Sequence, residues 1–206
     1  MNITMPCNNK KCDFLEEQFL VCPRDFLTKK ILLAPKTVSA LHNAAKTLRR
    51  NSNGQYVLVL TRGYIYWGKW RWFCEQLAKF IFHSLYWSDR ATSESLFGHN
   101  GHNDGYSVDV QLYDLSHNKK TQWLSWKNIM IPRIQAEKII ELNKETIHML
   151  DTAMANANFT SHIDPREKLQ MHYRLNVQDE HATLIECKGY LHSGPTKSQS
   201  LPKLSK

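Results

Sequence analysis

The alternation of apolar and polar positions divides the chain into a short series of elements. Pro35 opens the first. Val38, Leu41, Ala45 and Leu48 recur behind it at helical spacing, and Arg49 and Arg50 fall in a last turn where cations suit the helix dipole. Asn51-Ser52-Asn53-Gly54 ends that helix, and Tyr56 to Thr61, short and bounded by turn residues, predicts a buried strand. Residues 69–87 predict a second helix, with Trp70, Phe73, Leu77, Phe80 and Ile81 at core spacing. A stripe of this kind is also compatible with stacking on nucleic acid, but at helical period its ordinary place is the core.

Tyr106 to Asp114 alternates with period two. Ser107, Asp109, Gln111 and Tyr113 face one way, and Val108, Val110 and Leu112 the other. A long helix is expected after Pro132, with Ile139, Ile140, Ile147, Leu150 and Met154 on its apolar side, and then a loop from Asn156 to Arg166. Lys168 to Val177 predicts a second alternating strand. Leu169, Met171, Tyr173, Leu175 and Val177 share one face, and Gln170, His172, Arg174 and Asn176 the other. Gln178-Asp179-Glu180 predicts a turn, and His181 to Cys187 its hairpin partner. There is no internal repeat. The order of elements predicts an α+β fold, with helices packed on a small antiparallel sheet.

Residues 1–30 read as an irregular N-terminal extension carrying an apolar patch at Phe14, Phe19, Leu20 and Val21. Residues 31–190 read as a single domain. Residues 191–206, rich in Ser, Pro and Lys, read as a flexible tail. A hydrophobic fraction of 42% and six tryptophans fit a folded globule. The formal charge of +8 favours anionic partners: nucleic acid, acidic lipid or an anionic wall polymer. Arg49, Arg50, Lys69 and Arg71 are the cluster a nucleic-acid binder would use, though a solvated helix end explains them as well.

The five cysteines, Cys7, Cys12, Cys22, Cys74 and Cys187, form no CxxC pair, which argues against a zinc finger or a thioredoxin-type site. Free thiols are expected, with an N-terminal disulfide or metal clip as the alternative. No basic n-region followed by an apolar h-region opens the chain. The expectation is therefore a cytoplasmic protein or one exported by a route other than the Sec pathway. No run approaches the roughly 18 apolar residues of a membrane span.

The chemistry concentrates in Gly98 to Val110. His102 lies in a glycine-rich turn, and Asp109 lies seven positions on, in the strand that follows. Imidazole and carboxylate are both zinc ligands. His172 lies on the polar face of the later strand. If the two strands are neighbours, His102, Asp109 and His172 converge on one ion and leave a fourth position open, as a catalytic zinc requires. The alternative makes Asp109 a loop-capping acid and His172 a hydrogen-bonded sheet residue. His99 is a second candidate ligand without the seven-residue spacing.

The order His102-x-x-Gly105-x-Ser107-x-Asp109, followed late in the chain by His172-Tyr173-Arg174, resembles the D-Ala-D-Ala metallopeptidases. These carboxypeptidases and dipeptidases trim bacterial peptidoglycan and share a fold with the Hedgehog signalling domain and with phage endolysins. The segment Val59 to Tyr64 is similar to the family's strand ending in Ser-Gly-Tyr-Arg, and the resemblance covers roughly residues 33–178. It implies a Hedgehog-like α+β domain with a small antiparallel sheet carrying Zn2+ on His102, Asp109 and His172, and a peptide substrate derived from peptidoglycan.

The chain departs from the family pattern at three places. Asn100 stands for the family's serine. Ile65 stands where its substrate-facing arginine follows the tyrosine, leaving Arg62 as the candidate for a carboxylate or an oxyanion. Leu169 occupies the position of the glutamate that serves as general base three residues before the last histidine. Glu167, five residues before His172, is the nearest acid on that side, ahead of Asp104, Asp179 and Glu180. The resemblance thus implies a zinc peptidase or amidase with Glu167 as base and Arg62 as substrate anchor. The alternative is a zinc-stabilised binding module that has lost its base.

Overall fold

The computed structural model describes residues 17–23, 30–64, 72–73, 76–77, 80–81, 84, 102, 104–121, 133–161, 168–169, 171–177 and 183–187. The longest strand among them is β4 (Ser107–Asp114), and the sheet is assembled around it. β3 (Tyr56–Arg62) pairs antiparallel with one edge of β4, and β7 (His172–Leu175) pairs antiparallel with the other. β1 (Leu20–Val21) extends the sheet beyond β3 in parallel, β6 (Phe159–Ser161) extends it beyond β7, and β5 (Lys119–Lys120) closes a hairpin on β4. A second, two-stranded sheet joins β2 (Ile31–Leu33) to β8 (Ile185–Cys187). Among the described residues, the helices with both ends defined are α1 (Pro35–Asn51), α2 (Arg133–Leu142) and α3 (Lys144–Asn156). The α+β layout expected from the sequence is present. No described helix is long and apolar enough to cross a membrane.

The period-two pattern of β4 decides which side is core. Val108, Val110 and Leu112 are fully buried against Leu41, Ala44 and Leu48 of α1 and Ile147, Leu150 and Met154 of α3, joined by Leu58, Leu60, Tyr173 and Leu175 from the flanking strands. Each such aliphatic side chain contributes about 1.5–3 kcal/mol on burial, so this layer carries most of the fold's stability. The opposite face is apolar at one end, where Leu20, Val57, Val59 and Tyr113 form a second cluster. At its other end it is polar, and the candidate site lies there.

Several expectations need correction. Leu20–Val21, within the irregular stretch, is a strand, because its apolar pair completes both faces of the sheet beside Val59 and Leu60. The helix expected after Pro132 is two helices broken at Asn143, whose side-chain Nδ2 donates to the Ile139 carbonyl in competition with the backbone. β6 lies inside the expected loop 156–166. The strand 168–177 shortens to His172–Leu175, since Lys168 and Leu169 form a helical turn and Met171 takes a positive φ of 51°. The face assignment survives this, with Leu169, Met171, Tyr173 and Leu175 buried. β8 is not the hairpin partner of that strand; its three residues pair with Leu33, Leu32 and Ile31 instead.

The described part of segment 69–87 is helical at residues 72–73, 76–77, 80–81 and 84, but Phe73, Leu77, Phe80 and Ile81 are exposed rather than core. The core they would have joined is already filled by α1 and α3. Trp70 lies outside the described residues, as do Cys7, Cys12, Cys74 and the 191–206 tail. Cys22 and Cys187 are free.

One turn carries a titration prediction. Burial works against the charge of Asp114, yet Ser116 and His117 donate to it from both side chain and backbone and hold its carboxyl at about 2. A depressed folded pKa stabilises the native state above the unfolded value of about 3.9, and that contribution is lost as pH falls towards 2. Urea unfolding of Asp114→Asn between pH 4.5 and pH 2 should therefore show a flatter loss of stability than the wild type. Equal slopes would remove Asp114 from the acid response.

Candidate metal centre

The site is built where β3, β4 and β7 lie side by side. Asp109 pairs with His172 across one edge of β4 and with Arg62 across the other, so the three side chains share one face. Arg62 reaches that face through a bulge. Leu60 stands opposite Val110, yet the next partner of Asp109 is Arg62 rather than Thr61. Without the extra residue, Arg62 would point into the α-helical layer with Leu58 and Leu60. Thr61 fixes the bulge by donating its hydroxyl to the Asp109 carbonyl at 2.9 Å.

His102 comes from the turn before β4. The Asp104 carboxylate accepts the Tyr106 N–H at 2.9 Å, and Gly105 takes a φ of +79°, which turns the chain back over the strand. The Gly105 carbonyl accepts from the Ala34 N–H at 3.1 Å and the Thr37 hydroxyl at 2.9 Å, tying the turn to the start of α1. Gly63 is held from the same direction: a Cβ there would stand 2.7 Å from the Leu32 carbonyl oxygen. The segment from β2 into α1 thus braces both chain stretches that feed the site.

His102 Nε2 lies 3.1 Å and His172 Nδ1 lies 2.8 Å from the same oxygen, Asp109 Oδ1. The two imidazoles meet edge to face, with centroids 4.7 Å apart. One ligand atom from each of the three residues falls within 4.8 Å of the others. Ligands about 2.0–2.2 Å from a tetrahedral ion stand about 3.4 Å from one another, so the observed spacings bracket what a metal would draw together. Arg62 Nη1 lies 3.9 Å from the second carboxylate oxygen.

The protonation states suit ligation. Burial pushes the His102 imidazole down from its ordinary value, against the pull of Asp109, and so favours the neutral ring. Burial raises the Asp109 carboxyl, but His102 and His172 outweigh it and hold the group well below the usual carboxylate range. A neutral imidazole beside an ionised carboxylate is the form a metal binds. His102 Nδ1 is buried with no hydrogen-bond partner among the described residues. In the neutral ring that donates Nε2–H to Asp109, this atom is an unsatisfied acceptor, which is costly when buried. Moving the proton to Nδ1 frees Nε2 for an ion and makes the buried Nδ1 a donor that needs an acceptor in its turn. The group His102, Asp109 and His172 can therefore hold a metal ion.

Neither models of protein families nor curated proteins match the chain.

The structure thus brings together His102, Asp109, His172 and Arg62. Glu167 and His99 lie outside the described residues, as do Asp179 and Glu180. Leu169, at the position of the resembled family's base, is fully buried and offers no carboxylate. Asp104 is engaged with Arg174, whose Nη2 lies 2.6 Å from its Oδ2. Sequence reasoning placed Arg174 on the face of His172 but gave it no part in the site. That shared face was the available signal, while the bulge that aims Arg62 left no mark in the period.

Proposed function

We propose that the chain is a zinc-dependent peptidase or amidase of the D-Ala-D-Ala metallopeptidase type, acting on peptidoglycan stem peptides or other peptides that contain D-amino acids. The observation that carries this reading is the convergence of two imidazoles and an ionised carboxylate on one sheet face, in the order of the resembled family. A set of two nitrogens and one oxygen suits zinc. Zinc bound there would supply a Lewis acid that polarises a carbonyl and acidifies water.

The chain's own residues have distinct tasks in this reading. Asp109 compensates the charge of the ion and, in the metal-free chain, orients both imidazoles through its hydrogen bonds. Arg62 presents a guanidinium on the face of Asp109, where it can pair with a substrate carboxylate or a developing oxyanion. Glu167 takes the proton from the attacking water and returns it to the leaving amine. The excess of cations over anions draws the chain towards an anionic wall polymer.

A second reading follows from Leu169. With that position apolar and buried, the chain is a zinc-stabilised binding module if Glu167 does not serve as base. Incubation with muropeptides, followed by mass spectrometry, separates the two. The peptidase reading expects cleavage by the wild type, loss of cleavage in a chelator, and a fall of a hundred-fold or more in Glu167→Gln, on the order of a lost general base. Metal uptake without cleavage of any muropeptide would leave the binding module.

A further inference from the structure

We propose that Asp104 and Arg174 form a clasp that sets the separation of His102 and His172 and so governs how tightly the site holds its metal; this rests on the metal reading above. Asp104 lies two residues after His102, and Arg174 two residues after His172. Arg174 Nη2 stands 2.6 Å from Asp104 Oδ2, and its Nη1 reaches the Ser107 hydroxyl at 3.4 Å. The other oxygen of Asp104 accepts the Tyr106 N–H. One carboxylate therefore ties the turn that carries His102 both to itself and to the strand that carries His172.

The register shows why this link matters to the ligands. Ser107 stands opposite Arg174, and Asp109 opposite His172. The clasp thus occupies the row of the sheet next to the ligand row, about 7 Å along the strand on the same face. Asp109 and His172 are held relative to each other by the β4–β7 ladder. His102 is the ligand outside any strand, and its place over the sheet depends on what fastens its turn. A guanidinium suits the task because its planar fork can meet a carboxylate and a hydroxyl at once.

Arg174 is half exposed, so the pair adds little to global stability. Loss of an outer partner of a metal ligand typically weakens metal affinity by about 10–100-fold. The two effects separate cleanly. Zinc affinity is measured by competition with a chromophoric chelator for the wild type, Asp104→Asn, Arg174→Gln, the double variant and Arg174→Lys. The visible absorption of the Co2+-loaded chains is recorded alongside, as is the melting temperature of the metal-free chains.

Each single variant should lose at least about ten-fold in affinity and change the Co2+ spectrum, with metal-free melting unchanged. The double variant should bind no more weakly than either single one, and Arg174→Lys should recover part of the loss. Wild-type affinity in both single variants overturns the clasp, as do losses that add in full in the double variant. If Asp104→Asn fails to fold, the Arg174 variants decide alone, since that side chain is half exposed. A wild type that takes up no metal overturns the metal reading and the clasp together. Normal uptake in every variant overturns the clasp only.

Discussion

Asp109→Ala should abolish metal uptake. The wild-type chain should carry about one divalent ion, and the variant should lose affinity by more than a hundred-fold, beyond what loss of an outer partner costs. The reason is that Asp109 acts on both other ligands. Its Oδ1 accepts from His102 and His172, so its removal takes away the charge that balances the ion and the atom that aims both rings. Metal analysis after dialysis checks the first effect. Thermal melting with added zinc checks the second. An ion that binds only the native state stabilises it by about 2.7 kcal/mol at a hundred-fold excess over Kd, and that upward shift should vanish in the variant. Asp109 is almost fully buried, and His102 and His172 hold its carboxyl well below the usual range. Its removal leaves both imidazoles without their acceptor, so metal-free melting should fall as well. The zinc-induced shift is therefore read against each chain's own metal-free value. Full metal content in Asp109→Ala would remove the assignment of the site.

How much of this was legible in the chain depends on the range of the interactions involved. β4 was readable because one of its faces packs apolar residues on α1 and α3 while the other carries polar residues at the site, so it alternates cleanly. Its alternation placed Asp109 on the non-helical face, and the alternation around His172 did the same for β7. The convergence of the ligands followed from two local patterns and one assumption, that the strands are neighbours, which the pairing of Asp109 with His172 meets. The partner of β8 was not readable. A segment of three residues, Ile185 to Cys187, carries no mark of which strand it joins, and proximity in sequence favoured β7 over β2. The bulge at Thr61 was equally silent, because a one-residue slip in a run such as Val57 to Leu60 leaves composition unchanged.

The exposed helical residues failed for the opposite reason. Phe73, Leu77, Phe80 and Ile81 have the period of a core helix, but period reports only that a face is apolar, not what lies against it. α1 shows the contrast. Its small residues Ala40, Ala44 and Ala45 let it approach the sheet closely beside α3, and that pair fills the layer. The general charge of the chain was legible as a number but placed nothing. The guanidiniums that matter to the site, Arg62 and Arg174, are distinguished by register rather than by count.

Gly105→Ala should damage both the fold and the site. Gly105 holds φ at +79°, a conformation that costs an L-residue about 1–2 kcal/mol. A Cβ there would also meet the side chain of Leu184 and stand 3.0 Å from the Ala34 nitrogen. The leucine can rotate away, but the backbone of Ala34 cannot move without breaking its hydrogen bond to the Gly105 carbonyl. Overpacking of this kind costs about 1–3 kcal/mol, so the two effects together amount to about 2–5 kcal/mol. Denaturant unfolding of the metal-free chain measures this directly. The same substitution should weaken metal binding, because Gly105 is the pivot between His102 and Asp109 and any outward shift of the turn carries His102 with it. Loss of stability alone would mean that the turn relaxes without moving His102. Loss of metal affinity alone would mean that the strain is absorbed in the ligand loop. Both losses are expected, since the brace from β2 and α1 that fixes Gly105 leaves the turn no direction to move but away from the sheet.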